Sequence, residues 1–118
     1  MSLETGQRPW GSYDVLLEEE YCKVKRIYVN PGHRLSYQYH QYREEVWTIA
    51  SGEALVVLEG EEIFLKQGDV IKIPQGNKHR IGNVADHELI FIEVQMGTYF
   101  GEDDIIRLED DYFRNQDK

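Results

Sequence analysis

The spacing of turn sequences limits the fold of this chain more than any other feature. Asn30-Pro31-Gly32, Ser51-Gly52-Glu53, Glu59-Gly60-Glu61, Gln67-Gly68-Asp69 and Pro74-Gln75-Gly76-Asn77 are all rich in residues that favour turns. Between and beyond them lie runs rich in Val, Ile, Leu and Tyr, at residues 21–29, 34–40, 46–49, 54–58, 62–65, 70–73, 79–81 and 89–95. Runs this short, recurring about every ten residues, predict an all-β sandwich or barrel. Residues 102–113 depart from the pattern. Their acidic start, Glu102, Asp103 and Asp104, suits the first turn of a short helix. A solvated acidic turn is the alternative. The first few residues read as a tail.

At 118 residues the chain is predicted to be one domain, residues 1–118, large enough to bury a core without disulfides. Hydrophobic residues make up 41%, which argues against disorder. The net charge of −9 argues against nucleic acid as a partner, because phosphate backbones need a basic footprint. The basic residues nevertheless cluster, with Lys23, Lys25, Arg26, Arg34, Arg43, Lys78 and Arg80 flanking the segments discussed below. Cys22 is the only cysteine, so no internal disulfide forms and a reducing compartment is expected. It reads as a small residue filling a strand position. No apolar run reaches membrane-spanning length, and the first residues lack the signal-peptide pattern. These features together predict a cytoplasmic protein without a membrane partner.

Four residues with ligand chemistry fall into two groups. Gln38 and His40 are two apart on a predicted strand, so both side chains leave the same face. Glu45 follows near the next strand, and His79 comes after the turn at 74–77. Imidazole, carboxylate and amide oxygen form a borderline donor set that suits one divalent ion of Zn, Mn, Fe, Co or Ni. Four protein ligands leave room for a substrate oxygen. Fixed spacings surround them. Gly32, Gln38, His40, Glu45 and Gly52 form one series across 32–52, and Gly68, Pro74, Gly76, His79 and Asn83 another across 68–83. Five fixed identities at fixed offsets arise by chance about once in several million starts.

The two series resemble the signature motifs of the cupin superfamily, with Gln38 standing where most cupins carry histidine. The resemblance implies a small double-stranded β-helix, the cupin jelly-roll barrel. It extends to one family. Arg8-Pro9-Trp10-Gly11-Ser12-Tyr13, Tyr21-Cys22-Lys23-Val24-Lys25-Arg26-Ile27, Pro31-Gly32-His33-Arg34-Leu35-Ser36-Tyr37-Gln38, Lys78-His79-Arg80, Glu93-Val94-Gln95 and Gly101-Glu102-Asp103-Asp104-Ile105 are similar to the cupin domain of type II mannose-6-phosphate isomerases. That domain is often fused behind a mannose-1-phosphate guanylyltransferase. The likeness spans residues 8–114. Gln41, Tyr42 and Val46 depart from it, standing where the family usually has histidines.

The resemblance implies interconversion of mannose 6-phosphate and fructose 6-phosphate through an enediolate, with a metal held by Gln38, His40, Glu45 and His79. Arg80 is then expected to act on the substrate as a catalytic residue, and Arg34 and Lys78 to bind its phosphate. The residues do not single out a general base, since Glu45 takes the inward position beside Glu44 and His33 sits in a turn. His33 and His87 read as packing or surface residues. Two other readings stay open: a non-catalytic metal-binding cupin that holds a sugar or other small molecule, and a metal-dependent oxygenase. A homodimer is the expected assembly, with residues 13–17 as the strand crossing to the partner.

Overall fold

Alternation of buried and exposed side chains along the runs builds two antiparallel sheets. The computed structural model describes residues 3–114. Its strands are β1 (Glu4–Arg8), β2 (Gly11–Glu18), β3 (Cys22–Val29), β4 (Tyr37–Tyr39), β5 (Arg43–Ser51), β6 (Glu53–Leu58), β7 (Glu61–Lys66), β8 (Val70–Ile73), β9 (His79–Gly82), β10 (Leu89–Gly97) and β11 (Ile106–Glu109). One sheet runs β1-β2-β3-β10-β5-β8 and the other β11-β4-β9-β6-β7. Side chains from the facing surfaces interdigitate between the sheets. The result is an all-β barrel, as the turn spacing predicts, of the cupin type that the resemblance implies.

Three neighbouring strands change from apolar to polar inward residues along their length, β5 one inward position later than β3 and β10, and this creates the site. Val29 and Ile27 of β3, Leu89 and Phe91 of β10, and Ile49 and Trp47 of β5 form a buried apolar floor. Further along the same strands lie Lys25 and Lys23, Glu93 and Gln95, and Glu45 and Arg43, all buried as well. The register aligns these residues, pairing Leu89 with Val29, Phe91 with Ile27 and Ile49, Glu93 with Lys25 and Trp47, and Gln95 with Glu45. Directly opposed residues in an antiparallel pair share a face. The barrel is therefore oily at one end and ionisable at the other. Each large side chain of the oily end contributes roughly 2 kcal/mol on burial, which offsets the cost of dehydrating the polar end.

Two predicted segments fold differently. Residues 102–113 form no helix. After a turn, Ile106–Glu109 pairs with β4 and caps the edge of the smaller sheet. Hydrogen bonding to an exposed strand edge outweighs a weak, purely electrostatic helix signal. The N-terminal residues are not a tail over 4–8, because they pair along β2 from Glu4 with Val15 to Arg8 with Gly11. That pairing also bears on residues 13–17, which lie in β2 between β1 and β3 and so are not a free edge within this chain. No helix of the described residues is long and apolar enough to cross a membrane. Cys22 is buried at the start of β3, unpaired and packed as a small strand residue.

Candidate metal centre and cavity

The polar end of the barrel gathers the two sequence groups into one place. Inward residues alternate through β4 and just past it, so Gln38 and His40 are buried while Tyr37 and Tyr39 are only half-buried. β4 pairs with β9 so that Gln38 lies opposite His79. Glu45 arrives from β5. Ligand atoms of His40, Glu45 and His79 lie within 4.8 Å of one another. A backbone link joins the two motifs, with the Gly76 N–H donating to the His40 carbonyl at 2.9 Å. Gly76 has φ +82°, which favours glycine at that turn.

Each donor is prepared differently. The His79 Nδ1 lies 2.9 Å from the Asn77 carbonyl, which fixes the N–H on that nitrogen. Its Nε2 is buried and has no hydrogen-bond partner. An imidazole oriented by a carbonyl, with its other nitrogen unpaired, is the usual arrangement of a metal-ligating histidine. Burial pushes His79 below the ordinary histidine range. Burial, then Arg43 and His79, lower His40 from 6.5 to about 3, so its ring is neutral near pH 7. The residues present therefore fit a divalent ion in their donor set. Arg43 opposes the fit. Its Nε donates to Glu45 Oε2 at 2.9 Å and its Nη2 lies 3.0 Å from His40 Nε2. Burial disfavours the guanidinium charge, but Glu45, Glu93 and Glu102 outweigh this and hold Arg43 above the usual arginine range.

A second layer of residues supports these. Trp47 Nε1 donates to Glu45 Oε1 at 3.0 Å and Glu93 Oε1 at 3.1 Å, and Gln95 Nε2 donates to Glu93 Oε2 at 2.7 Å. Burial, followed by the Glu45 charge, raises Glu93 from 4.5 to about 7. Asp104 holds the loop between His40 and Glu45, accepting from the Gln41 and Tyr42 N–H groups at 3.0 Å each. Asn83 is structural, donating to the Val29 and His87 carbonyls and accepting from Ala85 N–H.

The cluster opens into a cavity at the polar end of the barrel. Trp10, Tyr13, Lys25 and Glu102 line it with Gln38, His40, Arg43, Glu45 and Glu93. Lys25 Nζ sits 2.7 Å from Glu102 Oε2 and 4.3 Å from the Tyr13 ring centroid. Sequence reasoning did not single out Arg43, Trp47, Glu93 or Glu102 for the site. For the last two the signal lay in the family-like stretches Glu93-Val94-Gln95 and Gly101–Ile105, of which Glu93, Glu102 and Ile105 line this cavity.

The three bases expected at the substrate lie elsewhere. His79 and Arg80 are consecutive on β9, so they leave opposite faces of the sheet. Arg80 Nε donates to the Leu35 carbonyl at 2.8 Å, and its Nη2 lies 3.6 Å from Asp111. Arg34 joins it there, held by Asp111 at 2.6 and 3.0 Å. Lys78 is exposed, and its backbone N–H meets Glu59. His33 stacks on Tyr112 and bonds its hydroxyl at 2.6 Å, and His87 is exposed beside Asp86.

Comparison with known proteins agrees with this architecture. A family model described as mannose-6-phosphate isomerase C-terminal matches residues 2–110. The alginate biosynthesis protein AlgA of Pseudomonas aeruginosa is 44% identical over 107 residues, covering 91% of this chain and 22% of AlgA. A mannose-1-phosphate guanylyltransferase of Salmonella montevideo is 44% identical over 108 residues, covering 92% of this chain and 23% of that protein. The chain thus spans under a quarter of these relatives. Among solved structures, a double-stranded β-helix protein of Klebsiella pneumoniae superposes with TM-score 0.69 at 28% identity, covering 75% of this chain and 77% of that one.

Proposed function

Because the chain belongs to the mannose-6-phosphate isomerase C-terminal family, we propose that it is a metal-dependent aldose–ketose isomerase interconverting mannose 6-phosphate and fructose 6-phosphate. The observation that carries this reading is the buried, unpaired Nε2 of His79 beside neutral His40 and the Glu45 carboxylate. Gln38, His40, Glu45 and His79 would hold the ion. When bound, it supplies a positive centre that stabilises negative charge developing on the sugar's carbonyl oxygen. The surrounding residues have their own tasks. Asn77 keeps the His79 tautomer. Trp47 and Arg43 orient Glu45. Asp104 fixes the loop that spaces His40 from Glu45. Trp10 and Tyr13 wall the cavity and exclude water.

A second reading rests on Arg43. Its guanidinium already engages His40 and Glu45, which suits a barrel that binds a sugar without turning it over. One pair of measurements separates the two. Metal content is determined on protein purified without chelator, and fructose 6-phosphate formation from mannose 6-phosphate is assayed with and without added divalent metals. The isomerase reading expects metal-dependent turnover, lost in His79→Ala together with bound metal. Tight binding of the sugar phosphate with no turnover under any metal leaves the binding module.

A further inference from the structure

We propose that Arg8, Arg107 and Arg114, from three separate segments at the mouth of the cavity, form an anion subsite that receives the ligand's phosphate group. The inference rests on the sugar-phosphate reading and gives that phosphate a location. Arg107 lies directly opposite Gln38 in the β11–β4 pairing, so both side chains face the same side. Arg8, at the end of β1, and Arg114, beyond β11, line the same cavity.

One donor among these cations has no partner. Arg107 Nε is buried and donates to nothing. A buried donor without a partner is costly, and a ligand oxygen would satisfy it. Arg114 is forked onto Asp110 at 2.8 and 3.1 Å. Arg8 donates to the Gln7 carbonyl at 2.8 Å and the Tyr13 hydroxyl at 3.1 Å, both neutral, and its nearest carboxylate is Glu102 at 3.7 Å, which Lys25 holds at 2.7 Å. Across the cavity and its mouth, Arg8, Lys25, Arg43, Arg107 and Arg114 face the carboxyl groups of Glu45, Glu93, Glu102 and Asp110, so the cations outnumber the carboxyl groups. Burial, and then the nearby Arg114 and Arg8 charges, weaken the hold of Arg107 on its proton, and Asp110 and Glu102 only partly offset them. A phosphate monoester carries about −1.5 to −2 charges and would balance the mouth. Its sugar would extend inward to Gln38, His40 and Glu45. The Arg34–Arg80 pair offers no such vacancy, since Asp111, Glu109 and the Leu35 carbonyl already surround it.

The test uses the full chain supplied with divalent metal and measures, by calorimetry, binding of mannose 6-phosphate, mannose and inorganic phosphate. Arg107→Met and Arg8→Gln lie on different strands and are checked for folding by thermal melting. Each is expected to weaken mannose 6-phosphate binding about ten- to hundredfold while leaving mannose binding unchanged. Inorganic phosphate should compete with mannose 6-phosphate on the wild type and lose that ability in the variants. Wild-type affinity in both folded variants overturns the proposal. So does a loss that follows Arg34→Gln and spares Arg107→Met, or a wild type that binds no phosphate. If phosphate binds through Arg107 but mannose 6-phosphate is not turned over, the subsite stands and the isomerase reading fails. If turnover is present and insensitive to both substitutions, the isomerase stands and the subsite fails.

Discussion

Arg43 is the residue on which the chemistry of the centre turns. A histidine nitrogen has one lone pair, so His40 Nε2 cannot accept from the Arg43 guanidinium and also ligate an ion. The Arg43 charge also lies within hydrogen-bond distance of Glu45 Oε2, where it repels any divalent cation. Replacing Arg43 by Met removes the competitor and keeps most of the aliphatic stem. The variant is expected to bind Co(II) or Zn(II) at least about tenfold more tightly, measured by competition with a chromogenic chelator. Weaker binding would show instead that Arg43 holds Glu45 in place. The clustering of Gln38, His40, Glu45 and His79 was legible in the sequence, because strand alternation and the Gly32–Gly52 and Gly68–Asn83 spacings constrain them. Arg43 was not. A buried arginine and an exposed one look alike in a sequence, and only the shared cavity lining of Arg43, Glu45 and Glu93 reveals which this is.

At the scale of elements, the glycines that close the turns set the strand register, and they differ in how much they constrain. Gly52 ends the first motif with φ +89°, and a Cβ there would lie 2.8 Å from the Glu88 carbonyl oxygen. Gly60 has φ +83° but nothing within 4 Å. Gly60→Ala therefore meets only backbone strain and should cost about 1 kcal/mol, whereas Gly52→Ala adds a backbone clash and should cost about 2–3 kcal/mol. Urea unfolding of the two variants checks the order, and equal costs would mean that the Glu88 loop yields freely. The turn chemistry made most of the strands readable. β1 and β11 escaped because their bonds are non-local: Glu4–Arg8 carries no apolar alternation and becomes a strand only through β2, and β11 exists because β4 leaves an edge to be capped. Arg80 lies on the opposite face of β9 from the cluster for a related reason. Adjacency to a ligand in sequence means the opposite face on a strand, so the residue following His79 points away from the cluster.

Across the whole molecule, the division into an oily end and an ionisable end makes stability depend on pH in two opposing ways. In chelator-treated protein, His40 is lowered from 6.5 to about 3. Below pH 6.5 the unfolded chain takes up a proton that the folded chain refuses, so stability falls as pH falls, by up to about 1.4 kcal/mol per pH unit. His79 is shifted in the same direction. Glu93 is raised from 4.5 to about 7, so between those values the folded chain keeps a proton that the unfolded chain releases, and stability rises as pH falls. The two effects oppose each other between pH 6.5 and 4.5. Below 4.5 the Glu93 carboxyl is protonated in both states and drops out of the balance. Glu93→Gln keeps the shape of the side chain and removes its titration. The variant's urea midpoint should therefore fall more steeply than the wild type's from pH 6.5 to 4.5, by a margin of about 1 kcal/mol per pH unit, and run parallel to it below. Parallel curves across the whole range would mean that Glu93 is ionised in the folded barrel. In that case the charge of Lys25, directly opposite on β3, rather than a shared proton, compensates the buried Glu45–Glu93 pair.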